Sequence, residues 1–313
     1  AKDGTGTWPN PNNIVFGGGA VWTPLSFDPE SEELYVPVTN PAPDFPAELR
    51  PGANLYTNSI VALDVRTGDI RWYDQLVPND AHDWDLTQVS PLFRTTVGGR
   101  ERNLVATSGK DGFLRVLDRD SRERLYETPI TAIENVDAPL TTEGVRVCPG
   151  LEGGVLWNGP AYDPRTNLLF VGAVDWCGIY ALAEEVRFVP GQMYLGGFVR
   201  PAERMEGRVT AVGASDGSLR WAYQSDMPVL GALTTTAGNL VFVGELNGDL
   251  VAFHTESGEE LYRFPTGGPI GGGVVTYSVN GKQYVAVTLG DPSILDWRLE
   301  DAGSPTVLIL ALP

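Results

Sequence analysis

Ala62-Leu63-Asp64-Val65-Arg66-Thr67-Gly68-Asp69-Ile70-Arg71-Trp72 has the form A-x-D-x-x-T-G-x-x-x-W. It reads as a strand, a tight turn carrying glycine, and a second strand that ends in an aromatic residue. The phrase returns, with substitutions, at residues 116–126, 211–221 and 252–262. Four copies mark a repeat architecture. Strand pairs of alternating or wholly apolar character precede the copies, and Asn239-Leu240-Val241-Phe242-Val243-Gly244 followed by Gly248-Asp249-Leu250-Val251-Ala252-Phe253 is the clearest. An antiparallel meander of this kind cannot bury both faces alone, so the units must stack radially. The expectation is an all-β chain, a β-propeller of four-stranded antiparallel blades.

The copies begin 54, 95 and 41 residues apart. The long interval contains Leu168-Leu169-Phe170-Val171-Gly172 and Ile179-Tyr180-Ala181-Leu182, so it is expected to hide a further blade with a decayed signature and an inserted loop at about 184–206. With a final strand from Thr306, this gives about four to five blades in one domain over residues 1–313, with no dividing linker. The Pro-rich segments near 40–52 and 134–150 read as long loops, which in propellers carry function.

The 37 Gly and 24 Pro punctuate the chain too often for long helices. A net charge of −18 repels phosphate backbones and anionic lipid, which argues against nucleic-acid and membrane-surface partners and leaves a cationic protein partner open. No apolar run approaches the ~18 residues of a membrane span, and no signal-like segment opens the chain, so a soluble, processed protein without membrane insertion is expected. Cys148 and Cys177 lie outside any CxxC or CxxCH context, against a zinc ribbon or covalent haem. They are either two buried thiols or a disulfide, and the even count favours a disulfide formed outside the cytoplasm.

Gly17-Gly18-Gly19-Ala20-Val21-Trp22, Val38-Thr39-Asn40-Pro41-Ala42-Pro43, Trp84-Asp85 and Gly109-Lys110-Asp111-Gly112-Phe113, taken with the repeated phrase, resemble the quinoprotein alcohol dehydrogenases, which use pyrroloquinoline quinone (PQQ). The resemblance spans essentially the whole chain and implies an eight-bladed propeller of which this chain matches the later half or slightly more. It implies that Trp22 stacks on one face of the quinone, that Asn40 supplies an amide ligand to Ca2+, and that Asp85 is the general base beside that metal. Lys110 then matches the basic residue on the reactive quinone oxygens, and Asn54, Trp157 and Asn158 fall in segments that line the cofactor. The same resemblance pairs Cys148 with Cys177. Thr87 stands where lanthanide-using relatives carry an extra Asp, which favours calcium; Leu156 stands where several relatives place a cofactor-binding Asn.

Each of these residues also has a plainer role open to it: a core Trp, a turn Asn before Pro, a solvated Lys. Asp80 and Asp83 crowd the same loop as Asp85, so a loop carboxylate with no catalytic part is the alternative there. The family's glutamate ligand and its adjacent-cysteine ring have no counterpart in this chain, so a second polypeptide supplying the remaining blades is expected, with unpaired strand edges at residues 1–16 and near the C-terminus. Without a CxxCH motif, electrons are expected to pass to a separate, cytochrome c-type acceptor, in the periplasm or outside the cell. The alternatives in function are a non-catalytic assembly scaffold built on the same repeat and a sugar-oxidising quinoprotein.

Overall fold

Each copy of the repeated phrase forms the last two strands of an antiparallel sheet in the computed structural model, which describes residues 4–9, 17–203, 205–290 and 303–311. The first blade consists of Ser26–Asp28, Glu33–Val38, Ser59–Asp64 and Ile70–Gln75. The second consists of Leu86–Gln88, Arg100–Gly109, Phe113–Asp118 and Arg124–Pro129, with Leu92–Val97 also paired to Arg100–Gly109. Ala161–Asp163, Leu168–Asp175, Glu206–Gly213 and Leu219–Ser225 make the third; Thr234–Thr235, Leu240–Gly244, Asp249–His254 and Glu260–Pro265 make the fourth. A fifth sheet has the three strands Gly273–Val279, Lys282–Leu289 and Thr306–Ala311.

The phrase has a physical reason at each fixed position. Its first residue lies directly across from its last: Ala62 from Trp72, Val116 from Tyr126, Ala211 from Trp221 and Ala252 from Tyr262. A small or β-branched residue opposite an aromatic is a favourable cross-strand pair. Immediately after that pair the register shifts in all four hairpins, a β-bulge in the same place each time. The Asp then turns the chain: Asp64 Oδ1 accepts from the backbone of Arg66 (2.8 Å) and Thr67 (3.1 Å), as Asp118 Oδ1 does from Asp120 and Ser121 (both 2.9 Å). The glycine sits in the left-handed region, with φ of 76° at Gly68, 70° at Gly217 and 71° at Gly258; in the second blade Arg122 is forced to 65°.

Two of the four aromatic residues also join one blade to the next. Tyr126 Oη–H donates to the Ala214 carbonyl (3.0 Å) and Trp221 Nε1–H to the Thr255 carbonyl (2.8 Å), each in the following blade's turn. A Cβ on Gly217 would come within 2.5 Å of the Tyr126 ring, and one on Gly258 within 2.7 Å of the Trp221 ring. Glycine is therefore required there both by the backbone and by the neighbour. Behind the hairpins, apolar clusters fill each seam. Leu169 and Val171 point into the cluster shared by the second and third blades, while Leu168 and Phe170 point into the one shared by the third and fourth. That is why this strand is apolar from Leu168 through Val174.

The 95-residue interval does not contain the extra blade expected of it. Leu168–Asp175 is an interior strand of the third blade, and Gly178–Leu182 instead pairs with Val145–Val147 and Gly197–Pro201 in a small separate sheet. The phrase marks only a blade's last hairpin, so a long interval between phrases can hold one blade's first strands and an excursion. The cysteines form the disulfide: Cys148 and Cys177 are joined with Cα atoms 4.3 Å apart, fastening the 134–150 loop to the base of the excursion. Of the strand edge expected over residues 1–16, residues 1–3 and 10–16 lie outside the described residues; Trp8 Nε1–H donates to the Leu55 carbonyl (2.8 Å).

Candidate active site

Three segments bring four of the expected residues to one point. Gly17–Gly18 pairs with Pro41–Ala42, and backbone bonds from Gly19 to Asn40 (2.9 Å) and from Thr39 to Ala20 (3.0 Å) extend this short ladder toward Trp22. The Thr23 hydroxyl donates to the Thr87 carbonyl, fixing Trp22 against the start of the second blade. On that blade Lys110 follows the strand Arg100–Gly109, and its backbone N–H donates to the Asp85 carbonyl (3.0 Å). Gly109 permits this approach, because a Cβ there would lie 2.5 Å from the Asp85 carbonyl oxygen.

All three neighbours converge on the Asp85 carboxylate. Its Oδ1 accepts from the Asn40 backbone N–H at 3.0 Å; its Oδ2 accepts from Trp22 Nε1–H at 3.2 Å and lies 3.0 Å from Lys110 Nζ. Asp85 is only 5% exposed, whereas Trp22, held to it through Nε1–H, is 44% exposed. The Asn40 side chain turns Nδ2 toward the Pro41 carbonyl (3.2 Å), which leaves the amide oxygen as the end with no described partner. Lys110 Nζ also lies 3.0 Å from Asp83 Oδ2. Asp83 is thus a member of the cluster, although in sequence it is one acid among several; its positive φ of 60°, uncommon for Asp, is what turns it toward the lysine.

The charge balance is acidic. Burial alone would lower the Lys110 pKa, but the Asp83 and Asp85 carboxylates outweigh it and hold it raised, so the ammonium stays charged. Asp83 is pushed well above the usual carboxylate range, first by burial and then by the charges of Asp85 and Asp44. The Lys110 ammonium, with three donors, lies 3.0 Å from both the Asp83 and the Asp85 carboxylates and ties them into one buried cluster. Burial and the charges of Asp80 and Asp85 raise Asp44 to about 7, and burial raises Asp80 to about 6.

The other expected contacts are engaged within the fold. Asn54 is fully buried, with Oδ1 accepting from Arg50 (2.9 Å) and Nδ2 donating to the Arg50 carbonyl (3.0 Å). Asn158 Nδ2 donates to the Gly172 carbonyl (2.7 Å), and Trp157 Nε1–H to the Gly271 carbonyl (2.9 Å). The Thr87 hydroxyl, fully buried, donates to Val155 (2.7 Å) and so belongs to the packing. A cavity of about 550 Å3 opens beside the same loop, lined by Asp80, His82, Trp84, Phe113 and residues 136–140, but none of Trp22, Asn40, Asp85 or Lys110 lines it. The loops at 41–52 and 184–206 do meet, through backbone bonds from Asp44 to Tyr194 (3.2 Å) and Phe45 to Leu195 (2.9 Å).

Two family models match parts of the chain. The family described as "Glucose/ethanol/alcohol dehydrogenase, beta-propeller domain" matches residues 1–139, which contain Trp22, Asn40, Asp85 and Lys110; the family described as "Outer membrane protein assembly factor BamB" matches residues 205–311, which contain none of them. The chain is 32% identical to quinoprotein alcohol dehydrogenase PedH of Pseudomonas putida over 91% of its own length and 51% of that protein. It is 33% identical to a quinoprotein ethanol dehydrogenase of Pseudomonas putida over 88% of its length and 49% of that protein. Among solved structures, the quinohemoprotein alcohol dehydrogenase of Comamonas testosteroni superposes with a TM-score of 0.85 at 28% identity, covering 94% of this chain and 48% of that one. A europium-containing methanol dehydrogenase superposes with a TM-score of 0.83 at 29% identity, covering 92% and 54%. The chain thus spans about half the length of the relatives it matches. By its repeated blades, by the residues gathered on Asp85 and by these likenesses, the chain belongs to the quinoprotein alcohol dehydrogenase family.

Proposed function

We propose that this chain carries the base-bearing wall of a PQQ- and calcium-dependent alcohol dehydrogenase. The observation that carries the reading is the convergence of Trp22, Asn40 and Lys110 on one buried carboxylate, Asp85. Folding alone does not call for a buried carboxylate beside a half-exposed indole. The residues suit the cofactor and metal: Asp85 and the Asn40 side-chain oxygen are hard oxygen donors of the kind calcium takes, and the half-exposed Trp22 ring offers a floor to a planar tricycle. When bound, the quinone would supply the two-electron acceptor and the metal a Lewis acid.

The work of the chain's own residues follows from the geometry. Asp85, 3.0 Å from the Lys110 ammonium, takes the hydroxyl proton of an alcohol as hydride leaves the carbinol carbon. Lys110, held as an ammonium ion, stabilises negative charge that develops on the acceptor oxygens. The loops at 41–52 and 184–206 shape the alcohol pocket, since they are bonded to each other beside Asn40. The remaining blades would come from a second polypeptide or segment, the electrons would pass to a cytochrome c-type acceptor, and the disulfide suits a periplasmic or secreted protein. A scaffold role is favoured only by the likeness over residues 205–311, which lies away from the cluster. Asp85→Asn separates the two: it should abolish alcohol-dependent quinone reduction while quinone binding, followed by absorbance and Trp quenching, survives. Full turnover in that variant would remove Asp85 as the base.

A further inference from the structure

Arg50 is among the most deeply buried side chains of the protein, at 0% exposure, and has no carboxylate as a hydrogen-bond partner. Its Nε–H donates to the Pro43 carbonyl (2.8 Å). Nη1 donates to Asn54 Oδ1 (2.9 Å) and Asn79 Oδ1 (3.3 Å), and Nη2 to the carbonyls of Asp44 (2.8 Å) and Asp80. All five guanidinium N–H groups thus find acceptors, which is the full capacity of the side chain. Four of the five acceptors belong to two loops distant in sequence: residues 43–44, just after Asn40, and residues 79–80, just before Asp85; the fifth is Asn54.

From Asp80 the linkage continues through its carboxylate. Oδ1 accepts from the His82 backbone N–H (3.1 Å) and Oδ2 from that of Trp84 (3.0 Å), which folds residues 80–84 into the turn that presents Asp83 and Asp85. A chain of hydrogen bonds therefore runs from Pro43 and Asp44 through Arg50 and Asp80 to the residue before Asp85. Only a planar donor fork can reach both loops at once; a lysine ammonium has three donors and no fixed plane.

We propose that Arg50 is the positioning residue of this site, locking the Asn40 loop to the Asp85 loop through a guanidinium that itself contacts neither Asn40 nor Asp85. Asn54 then acts at one remove: its amide brackets Arg50 from both sides, accepting at Oδ1 and donating from Nδ2. The inference rests on the proposed function only in calling the aligned pair a catalytic wall, since the lock itself is independent of any bound group.

The test is hydrogen exchange of the full chain, followed by mass spectrometry, for wild type, Arg50→Lys and Arg50→Met. In Arg50→Met, peptides covering 39–45 and 79–86 should both exchange at least about tenfold faster, while the strands Ser59–Asp64 and Phe113–Asp118 stay within about twofold of wild type. Arg50→Lys should fall between the two. Acceleration confined to one loop, spread equally over all blades, or absent would each overturn the proposal. Where Arg50→Met fails to fold, Asn79→Ala and Asn54→Ala, which each remove one acceptor of Nη1, should show the same paired acceleration in weaker form, and loss of protection in one loop alone would refute it. Quinone titration of wild type and Arg50→Lys separates the two readings. A roughly tenfold weaker affinity in the variant supports the positioning role, equal affinity counts against it, and no binding by wild type overturns the proposed function while leaving the exchange result to stand by itself.

Discussion

Lys110→Met is the substitution that weighs the electrostatics of the cluster. Lys110 is 8% exposed and Asp85 5%, so the change leaves a carboxylate in place without the ammonium 3.0 Å away. Removing one partner of a buried pair costs about 3–5 kcal/mol, because the survivor is left charged and desolvated. For a chain of 313 residues unfolding as one unit, an unfolding entropy of about 2.1 cal/mol/K per residue gives about 0.7 kcal/mol/K, so the melting temperature should fall by about 5–7 °C. The pH dependence follows from the direction of the shifts. In wild type the folded Lys110 pKa lies above 10.5, so its contribution is complete through neutral pH and is lost only at strongly alkaline pH. In the variant Asp83, already raised by burial, loses the ammonium that counteracts the rise, so the deficit grows as pH rises from 4 to 8. Urea unfolding at both pH values, with Asp85→Asn and Asp83→Asn each added to Lys110→Met, completes the cycle. Because Lys110 Nζ lies 3.0 Å from both carboxylates, Asp85→Asn and Asp83→Asn should each recover part of the loss. A deficit under about 1 kcal/mol at both pH values, or no recovery by either substitution, would refute the reasoning.

Arg122→Gly should stabilise the protein by about 1 kcal/mol, because Arg122 alone among the four turns holds a φ of 65° with a side chain attached; no rise in the urea midpoint would show that strain to be relieved elsewhere. Asp44→Asn should stabilise it as pH rises. The folded Asp44 carboxyl titrates at about 7 against 3.8 unfolded, so its ionisation costs stability that is complete below pH 4 and lost as pH rises through 7. Discounted for partial exposure, the gain should be about 1–3 kcal/mol at pH 8 and near zero at pH 4, and a difference constant with pH would contradict it.

The fold was legible because the repeat writes its geometry in residue types. A small residue, an Asp, a Gly and an aromatic at fixed spacing are a cross-strand pair, a turn, a left-handed position and an interblade contact. The excursion was not legible, since nothing in Ile179-Tyr180-Ala181-Leu182 says which partner strand it will find. In the site, Trp22, Asn40, Asp85 and Lys110 were readable because each sits in a distinctive short motif. Asp83 was hidden by the acids around it: its carboxylate meets Lys110, whereas that of Asp80 caps the backbone of His82 and Trp84. Arg50 carries no signal of any kind: its five acceptors are backbone and amide oxygens that a sequence pattern does not encode.

The excursion leaves the third blade after Asp175 and returns at Glu206, and these two residues are paired neighbours across the sheet. For the propeller, everything between them is the loop of a hairpin, whose length matters little to the blade. For the site it is not neutral: the Tyr180 hydroxyl donates to the His82 carbonyl (3.2 Å), three residues before Asp85, and the backbone near Leu195 braces Phe45. A change of length between Asp175 and Glu206 therefore leaves the blade's ladder intact yet reaches, through Tyr180 and Leu195, the backbone on either side of the Asp85 cluster.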